Sequence, residues 1–339
     1  MTTGLTRTKW LFGALVTTAL LTTSHRLAGQ AEQAGQAEQA EQAEQAGESA
    51  PTQQDQNVDE GRYQFRVTVD LISLNVTVTD SRNRFITDLG RDDFRVFEDG
   101  VHQELSVFSQ EDLPLRMILL LDSSASMEEK IASAQQAAIR FVGEMKDDDV
   151  TEVVEFGSKA HIIQAFTGDT AKLRDAILQT QAGGTTSLYN ALYIALKDLS
   201  RRRSDIRRQA IVVLSDGEDT SSLVTFEQVL DLTKDTDVTI YTISLRREGA
   251  QKGKYFSEAE HVLKKLAEET GGQWFFPGHI DELESVYARI SRELKSQYNI
   301  GYFSNNMRRD GTWRRVVVQT ASDEGLLVRT KLGYYAPRN

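Results

Sequence analysis

The sequence predicts an α/β fold: a doubly wound, mostly parallel sheet, flanked by a small β-sandwich-like module built from the segments before and after it. Three observations carry this. Five apolar runs, at 117–121, 150–156, 162–166, 211–214 and 238–245, are too continuous for a sheet with one wet face. Between them lie amphipathic stretches; in 128–145, Ile131, Ala134, Ala138, Phe141, Val142 and Met145 recur at helical spacing. Outside this region, on both sides, apolar and polar residues alternate with a period of two. Strands separated by helices mean a parallel sheet covered on both faces.

The chain has 339 residues, enough for two modest domains or one large domain with appendages, and at 40% hydrophobic it can bury a core. Its net charge of −11 argues against a nucleic-acid binder, which needs a basic face. It contains no cysteine. That excludes disulfides, thiolate metal sites, a cysteine nucleophile and a lipoprotein anchor.

In chain order, residues 1–29 read as an export signal. Arg7 and Lys9 precede an apolar stretch at 10–21 of the length of a secretory signal. Leu27-Ala28-Gly29 fits the small-x-small cleavage rule poorly, so an uncleaved anchor is the alternative, and contact with a membrane is expected only in that case. The expected location is the periplasm or the extracellular space. Residues 30–59 are AEQ and AGQ repeats followed by a polar run, too poor in apolar residues to order themselves. They read as a low-complexity linker.

Residues 60–112 read as a β module. Val67, Val69 and Leu71 alternate on one parity and Ile72, Leu74, Val76 and Val78 on the other, which predicts a bulge or break between Leu71 and Ile72. Glu98-Asp99-Gly100 between apolar runs is a hairpin signal. Residues 113–297 form the α/β region. Its last helix, over 281–297, carries Asp281 and Glu284 as an expected capping box, and Gly271-Gly272 stops the helix before it. Residues 298–339 return to strand character and are expected to pair with the 60–112 module.

The chemistry sits at strand ends. In open parallel sheets, ligands bind beyond the carboxyl ends of the strands, where the strand order reverses. The run "ILLLDSSASMEE" (118–129) ends a buried strand in Asp122, Ser124 and Ser126, spaced so that an extended loop can point all three the same way. One carboxylate and two hydroxyls suit a hard cation such as Mg²⁺ and exclude a soft one. "QAGGTTSLYNAL" (181–192) is a threonine-bearing loop opening a helix, and "IVVLSDGEDT" (211–220) is a second buried strand ending in Ser215-Asp216-Gly217.

Taken together, D-x-S-x-S, a G-G-x-T loop before a helix and S-D-G after a later strand resemble the metal-ion-dependent adhesion site of von Willebrand factor A domains, a Rossmann-like fold. The resemblance covers residues 115 to about 297. The flanks "VTVTDSRNRFITDLGRDDFRVFEDG" and "LGYYAP" look like the bacterial secreted subgroup of that family. The resemblance implies that Ser124 and Ser126 ligate a metal directly, and that Asp122 and Asp216 hold its waters. Its threonine lies six residues before the helix's first large apolar residue, counted here as Leu192, which selects Thr186 over Thr185. The implied ion is Mg²⁺, or Mn²⁺ or Ca²⁺, with one position left open for a carboxylate from a protein partner. Asn190 stands where relatives often have aspartate.

Plainer readings stand beside this one. Asp122 and the serines could cap a helix starting near Met127, and Asp216-Gly217 could be only a turn. The Gly183-Gly184 loop lacks the lysine and spacing of a phosphate-binding loop. His25, His102, His161, His261 and His279 have no ligand spacing. The arginines at 201–203 and 207–208 read as a solvated helix end, with an acidic partner as the alternative. The alternative class is a metal-dependent hydrolase or phosphotransferase on the same crest. A phosphotransferase using Asp122 would want a carboxylate two residues on, where Ser124 stands, and a serine hydrolase would want a histidine that the three segments lack. The sequence therefore predicts a binding module rather than an enzyme.

Overall fold

A computed structural model describes residues 70–110, 113–202, 208–215, 218–245, 258–322 and 325–338, all within one unit, Arg66–Asn339. The expected export signal (1–29), the repeat linker (30–59), residues 60–69 of the β module and Asp216 lie outside the described residues.

The N-terminal strands are β1 (Leu71–Thr79), β2 (Phe94–Glu98), β3 (Val101–Gln103) and β4 (Leu105–Ser109). The central region follows as β5 (Leu115–Asp122), α1 (Ile131–Gly143), β6 (Val150–Phe156), β7 (Ala160–Thr167), α2 (Thr170–Gln179), α3 (Leu188–Ser200), β8 (Arg208–Ser215), α4 (Phe226–Lys234), β9 (Thr239–Ser244), α5 (Glu258–Thr270), β10 (Trp274–Phe275) and α6 (Leu283–Lys295). The chain closes with β11 (Tyr298–Phe303), β12 (Trp313–Thr320), β13 (Leu327–Arg329) and β14 (Gly333–Tyr335).

The central sheet runs β10-β9-β8-β5-β6-β7, and every pairing is parallel except β6 with β7. Only Gly157, Ser158 and Lys159 join those two strands, too short a link for a crossover. All eight residues of β5 are buried, and alternation assigns its two faces. Met117, Leu119 and Leu121 pack with Phe141 of α1, Ile177 of α2 and Ile290 of α6. Ile118 and Leu120 pack with Leu192 of α3, Val229 of α4 and Leu263 of α5. Two apolar cores on one strand are what its unbroken apolar run requires.

The flanks make two four-stranded sheets, β13-β1-β11-β4 and β14-β12-β2-β3. Each takes strands from both ends of the chain: Leu74 faces Ile300 across β1 and β11, and Val96 faces Val318 across β2 and β12. Leu74, Val76, Phe94, Tyr298, Tyr302 and Val316 share the core of this sandwich. The hairpin between β2 and β3 turns through Asp99 (φ 48°) and Gly100 (φ 83°), the positive pair that a two-residue hairpin needs.

Three local expectations are corrected. β1 pairs with β11 without a register shift from Leu71 to Val76, so no bulge separates Leu71 from Ile72. α1 starts at Ile131, after a 3₁₀ turn at Ala125–Met127, and no Ser or Asp side chain caps either element. The expected capping box of α6 does not form: a 3₁₀ turn at Ile280–Glu282 leads into the helix, and the Glu284 carboxylate meets Arg140 of α1 instead. The expected solvated arginine cluster also divides. Arg201 and Arg202 are exposed, but Arg208 is buried and donates to the carbonyls of Leu113 and Leu294.

The sandwich meets the α/β region through a buried polar junction. Glu293 of α6 accepts from the Tyr241 hydroxyl of β9 at 3.0 Å, from Thr77 of β1 at 3.4 Å, and from Arg329 of β13. Burial and this carboxylate push the Tyr241 hydroxyl well above its ordinary value. At the end of α5, Gly271 has φ +75°, and a Cβ there would lie 2.4 Å from the Thr330 carbonyl carbon. One on Gly272 would lie 2.0 Å from the Ile240 oxygen, so this pair both ends the helix and admits its neighbours.

Two predictions follow from buried carboxylates. Glu293→Ala leaves its donors without an acceptor and should lower stability by about 3 kcal/mol, seen as a lower urea midpoint at unchanged m. Glu152, buried on β6, has its carboxyl pushed up to about 7 by loss of water, with Asp198 adding to the rise and Arg202 opposing it. The unfolded chain ionises near 4.5, so the folded state holds the extra proton between about 4.5 and 7. The stability from this group is full below the unfolded value and is lost as pH rises through about 7. Glu152→Gln should remove that slope, at most ~1.4 kcal/mol per pH unit, in urea unfolding at pH 5 and 7.5; identical slopes in both proteins would refute it.

Candidate metal centre

The strand order reverses between β5 and β8. β5 is followed in sequence by β6 on one side, while β8 lies on the other. Asp122 ends β5 and Ser215 ends β8, both fully buried. The Ser215 hydroxyl donates to Asp122 Oδ2 at 2.5 Å, fastening the two strand ends together. Asp122 Oδ1 accepts from the Ser124 N–H at 2.8 Å, an i to i+2 bond that turns the chain out of the strand. Ser124 stays extended (φ −68°, ψ 163°) and opens the 3₁₀ turn, which Met127 anchors in the core. The Ser124 and Ser126 hydroxyls end 3.0 Å apart.

The threonine loop lies against this turn. Gly183 N–H donates to the Ser123 carbonyl at 2.8 Å, and Ala125 N–H donates to the Gly184 carbonyl at 3.1 Å. Gly184 has φ +77°, a conformation that favours glycine, and a Cβ there would lie 2.4 Å from Ser158 Oγ and displace it. The two threonines then diverge. Thr185 is exposed, and its hydroxyl bonds the Ser158 and Ser221 hydroxyls at 3.2 and 3.0 Å. Thr186 is buried and held through its backbone: its N–H donates to Thr220 Oγ1 at 3.0 Å, and its carbonyl accepts from the N–H groups of Thr220 and Ser221. The Thr186 hydroxyl takes no part in these bonds.

The segment after β8 caps α3 from outside. Asp219 Oδ1 accepts from the Tyr189 N–H at 3.2 Å and the Ser222 hydroxyl at 2.6 Å, while Ser222 Oγ accepts from the Asn190 N–H at 3.0 Å. The helix's own Ncap residue, Ser187, makes no capping bond, and its buried hydroxyl has no partner among the described residues. Asn190 returns the favour: its Oδ1 accepts from the Leu223 and Val224 N–H groups at 3.1 and 3.2 Å. Burial first, then the carboxylates of Asp219, Glu258, Glu227 and Glu218, push the Tyr189 hydroxyl above its ordinary value.

Asp122, Ser124 and Ser126 thus share one turn, and the threonine loop lies along it. Asp216 lies outside the described residues, directly after Ser215. Sequence reasoning did not assign Ser158, Thr220, Asp219 or Ser222 to the crest. A signal existed only for Asp219 and Ser222, as an Asx-type pair in "DGEDTSS". Among the described residues no three His, Asp or Glu side chains gather as a metal-holding group. The crest offers one buried carboxylate and hydroxyls from separate segments instead.

Residues 117–218 match the family model of the von Willebrand factor type A domain. The chain carries a von Willebrand factor type A domain. Within curated relatives, this chain is 25% identical over 130 residues to pig inter-alpha-trypsin inhibitor heavy chain H1, covering 35% of this chain and 14% of that protein. It is 28% identical over 181 residues to mouse calcium-activated chloride channel regulator 3A-1, covering 51% of this chain and 18% of that protein. The matches therefore span less than a fifth of those relatives. Among solved structures, a von Willebrand factor type A protein from Catenulispora acidiphila aligns over 81% of this chain and 76% of its own, at 12% identity and a TM-score of 0.46. Domains of this family typically mediate protein–protein interaction or adhesion, and often bind a divalent metal.

One test of the crest's construction concerns Ser215. Ser215→Ala removes a donor from a buried carboxylate and should cost about 1–3 kcal/mol of stability, measured by thermal unfolding in chelator. An unchanged melting temperature would mean that this bond contributes nothing to the fold.

Proposed function

We propose that this domain is a metal-dependent binding module of an exported protein. A divalent cation, Mg²⁺ or else Mn²⁺ or Ca²⁺, is held at the crest by Asp122, Ser124, Ser126, Thr186 and Asp216, and bridges to an acidic side chain of a protein partner. The observation that carries the reading is the convergence of the Ser124 and Ser126 hydroxyls beside the buried Asp122 carboxylate at the reversal of strand order. Their 3.0 Å separation is what two adjacent ligands of an octahedral ion span when each bond is about 2.1 Å. The donors fit a hard cation, since every one is oxygen. The Thr186 hydroxyl, which makes no hydrogen bond among the described residues, against the doubly bonded hydroxyl of Thr185, supports Thr186 as the ligand. When bound, the ion supplies positive charge and an exchangeable position for a partner's carboxylate.

Catalysis on this crest has less support. Asp122 is fully buried with both oxygens accepting hydrogen bonds, a poor disposition for a nucleophile. His102, His161, His261 and His279 belong to four separate parts of the chain, two of them on β3 and β7. Export rests on the signal-like residues 1–29. Among the described residues no helix is long and apolar enough to cross a membrane.

Mg²⁺ should raise the melting temperature of the wild-type chain in a concentration-dependent manner, by mass action on the folded state. Asp122→Ala, and the gentler Ser126→Ala, should lose most of that rise. A Mg²⁺ response unaltered by both substitutions would put the ion elsewhere. A partner captured from envelope and culture extract should be retained in Mg²⁺ and released by chelator.

A further inference from the structure

We propose that Leu223 is a specificity-determining contact of the crest. It would select partners in which the metal-seeking carboxylate lies close in sequence to a bulky apolar side chain and a lysine or arginine. This rests on the metal-bridging reading above and adds the chemistry of the partner.

Leu223 is 93% exposed, more than any other large apolar residue among those described. A solitary exposed leucine needs no explanation on a loose loop. This one stands on a fixed loop. Its N–H and that of Val224 are held by Asn190 Oδ1, and the preceding Ser222 is bonded to Asp219 through its N–H and its hydroxyl. The Val224 and Phe226 side chains pack against the core, and Thr225 caps α4 in a box with Gln228. Neighbours are drawn inward while Leu223 is left in water. An apolar side chain already fixed in place binds with little ordering cost, which is how a few residues come to dominate an interface.

The same loop connects Leu223 to the candidate metal centre. The N–H groups of Thr220 and Ser221 donate to the carbonyl of Thr186, so Leu223 follows close behind residues that brace a proposed ligand. Charge defines the rest of the partner. Asp219 accepts from the Tyr189 N–H at 3.2 Å, and Glu218, Glu227 and Glu258 join it in acting on the Tyr189 hydroxyl, so the described residues on this side of the crest are acidic. An anionic segment meets repulsion there as it brings its carboxylate to the ion. A cation beside that carboxylate turns the repulsion into attraction.

The test uses the full chain, with a phage-displayed pool of random linear peptides as probe, panned in Mg²⁺ and eluted with chelator. Eluted sequences should combine Asp or Glu with a large apolar residue and Lys or Arg within a few positions. As synthetic peptides they should bind Leu223→Ser roughly tenfold more weakly than wild type, as expected from losing one buried leucine contact. The Mg²⁺-dependent melting shift of Leu223→Ser should match wild type, since an exposed side chain carries no fold. Chelator-eluted acidic peptides that bind Leu223→Ser as tightly as wild type would overturn the Leu223 contact and leave the metal reading intact. Peptides retained in chelator and bound equally by Asp122→Ala would overturn both.

Discussion

Asp122 sits at the carboxyl end of the central strand with no exposed surface, and a carboxylate there has to be met by donors. The local architecture follows from that demand. The Ser215 hydroxyl reaches it from β8, which sets the height at which the two strands end. The Ser124 N–H reaches it from two residues on, which turns the chain sharply enough to bring the Ser124 and Ser126 hydroxyls together. The turn then exposes the Ser123 carbonyl and Ala125 N–H, and these pair with the glycine loop and fix where the threonines stand. A motif that looks like a string of small polar residues is a sequence of hydrogen-bond obligations passed from one segment to the next.

The core was legible in the sequence because each buried strand has two apolar faces. β5 and β8 carry the apolar runs 117–121 and 210–214 for that reason, and each strand ends one residue after its run, at Asp122 and Ser215. α2 and α4 were less legible. Each buries few residues, Leu173, Ala176 and Ile177 in one and Val229, Leu232 and Thr233 in the other, so no broad apolar stripe announces them. The expected box at α6 failed because Glu284 has a better partner in Arg140 on a neighbouring helix, which spacing along the chain cannot reveal. The reading of Arg208 as a solvated charge failed for the same reason: its acceptors are carbonyls of Leu113 and Leu294, far away in sequence.

At the crest, the boundary between legible and illegible follows sequence distance. Asp122, Ser124 and Ser126 lie within one turn, so their spacing alone announced them. The capping of α3 by Asp219 and Ser222, and the reciprocal hold of Asn190 on Leu223 and Val224, join residues thirty or more apart. Asn190 is instructive. In the sequence it stands only as a departure from a frequent aspartate; in place, its carbonyl oxygen accepts two backbone N–H groups and fastens the loop before α4. A carboxylate could accept the same bonds, but it would add charge to a rim already carrying Glu218 and Asp219.

The attachment of the sandwich completes the logic. β4 leads into the amino end of β5, and α6, running back across the sheet, leads into β11 at the same edge. The contacts agree with this topology. Lys331 pairs with Asp237 just before β9 at 2.5 Å, Arg329 donates to the Gly271 carbonyl after α5, and Thr330 packs on Gly271. Because α5 and α6 return antiparallel to the strands, their ends lie at the amino edge, opposite Asp122 and Ser215. Both flanks of the chain are therefore secured at one pole, and the oxygen-rich crest with Leu223 occupies the other. A domain built to bind would gain from that separation: the pole that carries the flanking sandwich does not compete for space with the pole that meets a partner.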